Sequence, residues 1–139
     1  MNRITELLKH KKDILSIYYT AGYPNTEDTL PILSALQQSG VDMVEIGMPF
    51  SDPIADGTVL RAANARALQA GQTMARTFEL IDAFRVEDTR TPIVLMGYLN
   101  TLLRWGTADF FERAAQVGGD GVIVVDLAVE HAQTIDRLA

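Results

Sequence analysis

One glutamate stands inside an apolar run, Met43-Val44-Glu45-Ile46. A carboxylate in that setting is costly unless it is protonated or paired. Burial favours the neutral acid, which suits Glu45 to proton transfer near neutral pH. A structural glutamate paired with an arginine or with backbone amides is the competing reading. Asp52 and Asp56 follow in Gly47-Met48-Pro49-Phe50-Ser51-Asp52-Pro53-Ile54-Ala55-Asp56-Gly57. Asp before Pro and Asp before Gly are ordinary turn placements, so turn formation alone would account for both. The aromatics Tyr18, Tyr19, Tyr23, Phe50 and Tyr98 either line a pocket for an aromatic ligand or belong to the core. His10 and His131 lack metal-ligand spacing, so no metal site is expected. Lysine occurs only at Lys9, Lys11 and Lys12, outside any strand, which argues against Schiff-base chemistry. There is no GxGxxG or P-loop motif.

These residues need a scaffold. Four short runs rich in β-branched residues predict strands: Ile14 to Thr20, Met43 to Ile46, Ile93 to Met96 and Val122 to Val125. Near-continuous apolar character predicts burial on both faces, as in parallel sheets. Their carboxyl ends carry Thr20, Glu45, Tyr98 with Asn100, and Asp126, where ligands of parallel α/β folds bind.

Helical spacing fills the gaps. Thr26 to Ser39 presents Leu30, Leu33 and Leu36 and stops at Gly40, with Pro31 delaying the first turn. Val59 to Ala70 puts Leu60, Ala63, Ala67 and Leu68 on one side and stops at Gly71. Thr73 caps a third helix, with Phe78, Ile81 and Phe84 inward. Thr107 caps a fourth, with Phe110, Ala114 and Val117 inward and Gly118 as the stop. The stretch before the first strand and the tail from Val129 to Leu138 are also helical by this test. Gly40-Val41-Asp42-Met43-Val44 is echoed by Gly118-Gly119-Asp120-Gly121-Val122, an offset of 78 residues from Asp42 to Asp120. Two βα units per 78 residues suit a (β/α)8 barrel of ~250 residues, of which this chain holds about half.

Composition narrows the function. The 139 residues are 47% hydrophobic and 22% charged, the profile of a globular domain rather than a disordered one. A net charge of −6 disfavours nucleic acid or an anionic membrane as main partner. The absence of cysteine excludes disulfides and thiolate metal sites and makes the cytoplasm the expected setting. No apolar run is long enough to span a membrane.

The segment Val44 to Gly57 closely resembles the signature of the tryptophan synthase α subunit family. Tyr19 to Pro24, Pro92 to Asn100 and Gly121 to Asp126 resemble that family's first, third and fourth strands, in order. The resemblance implies an α/β fold of parallel βα repeats, the first half of a TIM barrel. Residues 1–139 would form the amino-terminal half of a single barrel domain, four βα units and a leading helix. It implies retro-aldol cleavage of indole-3-glycerol phosphate to indole and glyceraldehyde 3-phosphate, without a cofactor. Glu45 matches the catalytic acid–base and Asp56 the carboxylate that engages the indole N–H. Tyr18, Thr20, Phe50, Tyr98 and Asp126 match substrate-binding positions. Asp52, Pro53 and Asn100 match contacts to the β subunit of an α2β2 complex.

Two departures stand out. Thr58-Val59-Leu60-Arg61 replaces the Pro-led stretch that usually follows Ala-Asp-Gly, and Leu127-Ala128 replaces an apolar-Pro pair. The family's late phosphate-binding loops have no counterpart here, which leaves a non-catalytic module of the same fold as the alternative. A lyase independent of a β subunit is a further alternative. The loop from Pro49 to Gly57 is expected to act as a lid.

Overall fold

A computed structural model describes residues 2–136. The chain opens with α1 (Arg3–His10) and runs into β1 (Ser16–Thr20). A 3-10 turn (Thr26–Asp28) leads into α2 (Thr29–Gln38), followed by β2 (Met43–Gly47). The long loop after β2 reaches α3 (Thr58–Gln69) and α4 (Met74–Glu87), then β3 (Ile93–Gly97). Two helices, α5 (Leu99–Trp105) and α6 (Thr107–Gln116), precede β4 (Gly121–Val124) and α7 (Val129–Asp136). The four strands form one sheet in the order β1-β2-β3-β4, every neighbouring pair parallel. The expected tail helix is present to Asp136; its last expected residues, Arg137 and Leu138, lie outside the described residues.

Register sorts the side chains. Tyr18, Glu45, Val94 and Gly121 share one row across the sheet and therefore one face. Ile17, Val44, Ile93 and, one step up, Ile46, Leu95 and Val122 point the other way. That second face is the core. Val44, Ile46, Ile93 and Leu95 are fully buried there, with Leu33, Phe78, Ile81, Phe84, Leu102 and Phe110 from the helices. The rings of Phe78 and Phe110 sit 5.5 Å apart and that of Trp105 lies edge-on to Phe78 at 5.2 Å. Burial on both faces holds for only part of the sheet: Thr20 and Val94, on the Glu45 face, are buried, but others there are not. On the Glu45 face Ser16, Tyr18 and Met96 are only half-buried and Ile123 is 40% exposed. Helices of βα units pack on the other side of the sheet, and on this face Ile4 of α1 reaches over Gly121 at the start of β4.

The echoed sequence around Asp42 and Asp120 has a structural counterpart. The Asp42 carboxylate accepts from Leu15 N–H at 2.9 Å, and its own N–H donates to Leu15 C=O at 3.0 Å. Asp120 makes the same pair with Ile93, at 2.9 and 2.8 Å. Each aspartate thus clamps its strand to the start of the one before. Gly40 and Gly118, at φ of +81° and +87°, end the preceding helices in the left-handed conformation that glycine tolerates. Each carboxylate also meets cations: Lys11 at Asp42, and Arg3 with Arg85 at Asp120.

The helices differ from expectation in three places. Gly106, not Thr107, precedes α6, and Thr107 is its first residue. α5 was not foreseen; it follows β3 after a single residue. On α3 the inward positions are Ala63, Asn64 and Ala67, while Leu68 turns out to solvent. Pro31 does sit in the first turn of α2, where its missing N–H costs nothing.

Candidate active site

Glu45 projects from the middle of β2 onto the open face, among Ser16, Tyr18 and Met43. Its surroundings are therefore more polar than the apolar run suggests, since Val44 and Ile46 face away. The Ser16 hydroxyl donates to Glu45 Oε1 at 2.7 Å. Among the described residues neither an arginine nor a backbone amide bonds to this carboxylate.

Tyr18 and Thr20 lie on the same face, and their hydroxyls are 3.2 Å apart. The Tyr18 phenol lies directly over Gly47, where a Cβ would overlap its hydroxyl. Gly47 thus holds the room that lets a tyrosine lie along the strand ends. Burial raises the pKa of Tyr18; the bond to Thr20 opposes it, and the nearby Asp56, Tyr98 and Glu45 add to it. The hydroxyl therefore stays neutral near pH 7.

Asp56 comes from the loop between β2 and α3. Its N–H donates to Pro53 C=O at 3.1 Å, the turn foreseen for it. Its carboxylate acts on the hydroxyls of both Tyr18 and Tyr98. Tyr98, at the amino end of α5, is buried and stacks on Phe50 with centroids 5.2 Å apart and an interplanar angle of 27°. Its hydroxyl accepts from Ala55 N–H at 3.0 Å. Burial raises the pKa of Tyr98; the Ala55 N–H opposes this, and Asp56 and Asp126 add to it. Glu45, from the middle of β2, and Asp56 and Tyr98, from beyond the strand ends, thus all lie near the Tyr18 hydroxyl.

The remaining candidates are distributed around them. Asp126, exposed after β4, accepts from Leu99 N–H at 2.7 Å and so serves the unpaired amino end of α5. Pro53 is buried, while Asp52 and Asn100 are exposed. Ile54 and Val59 are also exposed, at 78% and 79%, leaving an apolar rim around the loop. Sequence reading missed Asn64, whose side chain accepts from Phe50 N–H at 2.9 Å and donates to Leu60 C=O at 2.8 Å. A polar residue on the inward stripe of α3 was the available signal. No helix among the described residues is long and apolar enough to cross a membrane.

The family model of the tryptophan synthase alpha chain matches residues 4–139. The chain belongs to the tryptophan synthase alpha chain family. The tryptophan synthase alpha chain of Flavobacterium johnsoniae is 45% identical over 130 residues, 94% of this chain and 51% of that protein. The tryptophan synthase of Saccharomyces cerevisiae is 47% identical over 124 residues, 89% of this chain and 18% of that protein. Among solved structures, the alpha subunit from Legionella pneumophila superposes with a TM-score of 0.96 at 41% identity. That alignment covers 99% of this chain and 54% of the other. The tryptophan synthase complex from Pyrococcus furiosus contains a chain matching at TM-score 0.87 and 41% identity, over 93% and 53%. The chain spans about half the length of the bacterial alpha chains it matches. Its four βα units correspond to the first half of a TIM barrel.

Proposed function

We propose that residues 1–139 form the amino-terminal half of a single barrel domain and supply the acid–base half of an indole-3-glycerol-phosphate lyase. The observation that supports this reading most is that Glu45 stands beside Tyr18 on one sheet face, with the Asp56 loop tied to Tyr98 at the carboxyl end of that face. Retro-aldol cleavage begins with a proton delivered to C3 of the indole ring. Glu45 in its acid form gives that proton. Positive charge then develops at the ring nitrogen, and the Asp56 carboxylate stabilises it. The bond between C3 and the first glycerol carbon breaks, and its electrons return to the ring. The hydroxyl on that carbon loses its proton to the Glu45 carboxylate as the aldehyde forms. Phe50 and Tyr98 offer flat apolar surface to the indole, and their stacking fixes the two rings relative to each other.

The exposed Asp52 and Asn100, with Pro53 between loop and core, form the surface proposed to meet a tryptophan synthase β subunit in an α2β2 assembly. The proposed setting is the cytoplasm. The test joins this chain to the second half of an alpha chain and follows indole release from indole-3-glycerol phosphate. Glu45→Gln is expected to abolish release while circular dichroism and the unfolding midpoint stay as in the parent. Substantial turnover by the folded variant would remove Glu45 from the acid–base role. A folded parent assembly without turnover would favour the non-catalytic module.

A further inference from the structure

Ser16 sits on the same sheet face as Glu45, one side-chain step toward the amino-terminal ends of the strands, because it pairs with Met43. Its hydroxyl donates to Oε1 of Glu45 at 2.7 Å. Asp56 and Tyr98 lie at the opposite, carboxyl-terminal ends. The bond therefore engages one carboxylate oxygen from below and leaves Oε2 for whatever enters from above. A long glutamate side chain on a half-covered face has several rotamers to choose among, and one short hydrogen bond selects between them.

We infer that Ser16 is a positioning residue for the proton transfer at Glu45: it fixes Oε1 so that Oε2 is the atom presented to the substrate. This rests on the acid–base reading of Glu45. Ser16 touches no substrate in this role and acts only through the glutamate. Tyr18, on the next rung, cannot replace it, since its hydroxyl is bonded to Thr20 and lies over Gly47.

The test uses the joined barrel and two variants, Ser16→Ala and Ser16→Thr. Alanine removes the donor, and threonine retains a hydroxyl at the same atom. Ser16→Ala is expected to lower kcat about tenfold, the scale of one hydrogen bond, with KM within about twofold. Ser16→Thr is expected to restore kcat to within about threefold of the parent. In a Glu45→Gln background Ser16→Ala is expected to change nothing further, as coupled residues behave in a double-mutant cycle. In the chain itself, the carbon-13 resonance of the Glu45 carboxyl is expected to move in Ser16→Ala and to return in Ser16→Thr. An unchanged kcat with an unmoved carboxyl resonance in Ser16→Ala would overturn the inference. So would a loss that threonine fails to rescue. Either result leaves the acid–base reading intact as long as Glu45→Gln remains inactive; an active Glu45→Gln would end that reading instead.

Discussion

Asp56 makes the choice between turn chemistry and catalysis concrete. Its backbone N–H closes a turn onto Pro53, so asparagine can satisfy the same local geometry. What asparagine lacks is the charge that answers positive charge on the indole nitrogen. Asp56→Asn in the joined barrel is therefore expected to cost about 100-fold in kcat. Its unfolding free energy should move by less than about 1 kcal/mol. Steady-state indole release and denaturant unfolding measure the two sides. An unchanged rate would return Asp56 to a turn former. Glu45 was legible as a candidate from its place between Val44 and Ile46, whereas Asp56 read as a turn former on its own residues and became a candidate only through the family resemblance. Ser16 was not legible. Its bond to Glu45 crosses from one strand to the next, and only the register brings the two together. Asp126 likewise acts on Leu99, far away in sequence.

Among the elements, the loop between β2 and α3 is tied at both ends and exposed in the middle. Phe50 N–H is held by Asn64, and Ala55 N–H by the Tyr98 hydroxyl, while Ser51, Asp52, Ile54 and Ala55 face solvent. Such a segment opens locally at low cost. In the joined barrel, amides from Ser51 to Gly57 are expected to exchange rapidly without ligand and to slow at least tenfold with a substrate analogue. Equal, strong protection in both states would show that the loop does not close. The strand starts respond to acid. The Leu15 N–H and then the Lys11 ammonium hold the Asp42 carboxyl below the usual range. Its contribution to stability is complete above the unfolded-state value of about 3.9 and is lost as the pH falls through the lower folded-state value. Denaturant midpoints of the parent and Asp42→Asn should therefore differ most near neutrality and converge in strong acid; a constant gap would contradict this. All four strands and most helices were readable from periodicity. α5 was not, because it has seven residues and borrows its cap from the loop after β4. Thr107 misled because glycine at a φ of +96° can end one helix and lead into the next.

At the scale of the molecule, the sheet is sided. One face is packed by helices and the other carries the site, half-covered, between β1 and β4, the edge strands among the described residues. Edges with unpaired N–H and C=O groups attract further strands. Residues 1–139 by themselves are expected to release indole at less than about a hundredth of the joined barrel's rate, since substrate misplaced by ~1 Å costs that much. They are also expected to sediment as dimers or larger species. Near-full turnover by a monomer would defeat this, because it would require a phosphate site within these residues. Burial on both faces, read from the sequence for all four strands, holds at Val94 of β3 and fails over most of β1 and at β4 for the same reason. The runs are apolar, but Ser16, Tyr18 and Glu45 alternate onto a face that βα helices do not reach.

The paired clamps at Asp42 and Asp120 act as a gauge for building with this chain. Both aspartates make the same two bonds to the start of the preceding strand, so material exchanged between these equivalent points enters its strand in the same phase and keeps its side chains on the original side of the pleat. Leu15 and Ile93 take the same two bonds, and Met43 and Gly121 begin the same strand of successive pairs. Two strands and their helices thus behave as a cassette, joined to the next by Val44 N–H on Pro92 C=O at 3.0 Å. By the same phase, Val122 is the first residue of β4 placed to offer its amide to the carbonyl of an incoming strand. A designer extending or recombining the sheet would line up that one amide, and the phase of every later residue would follow.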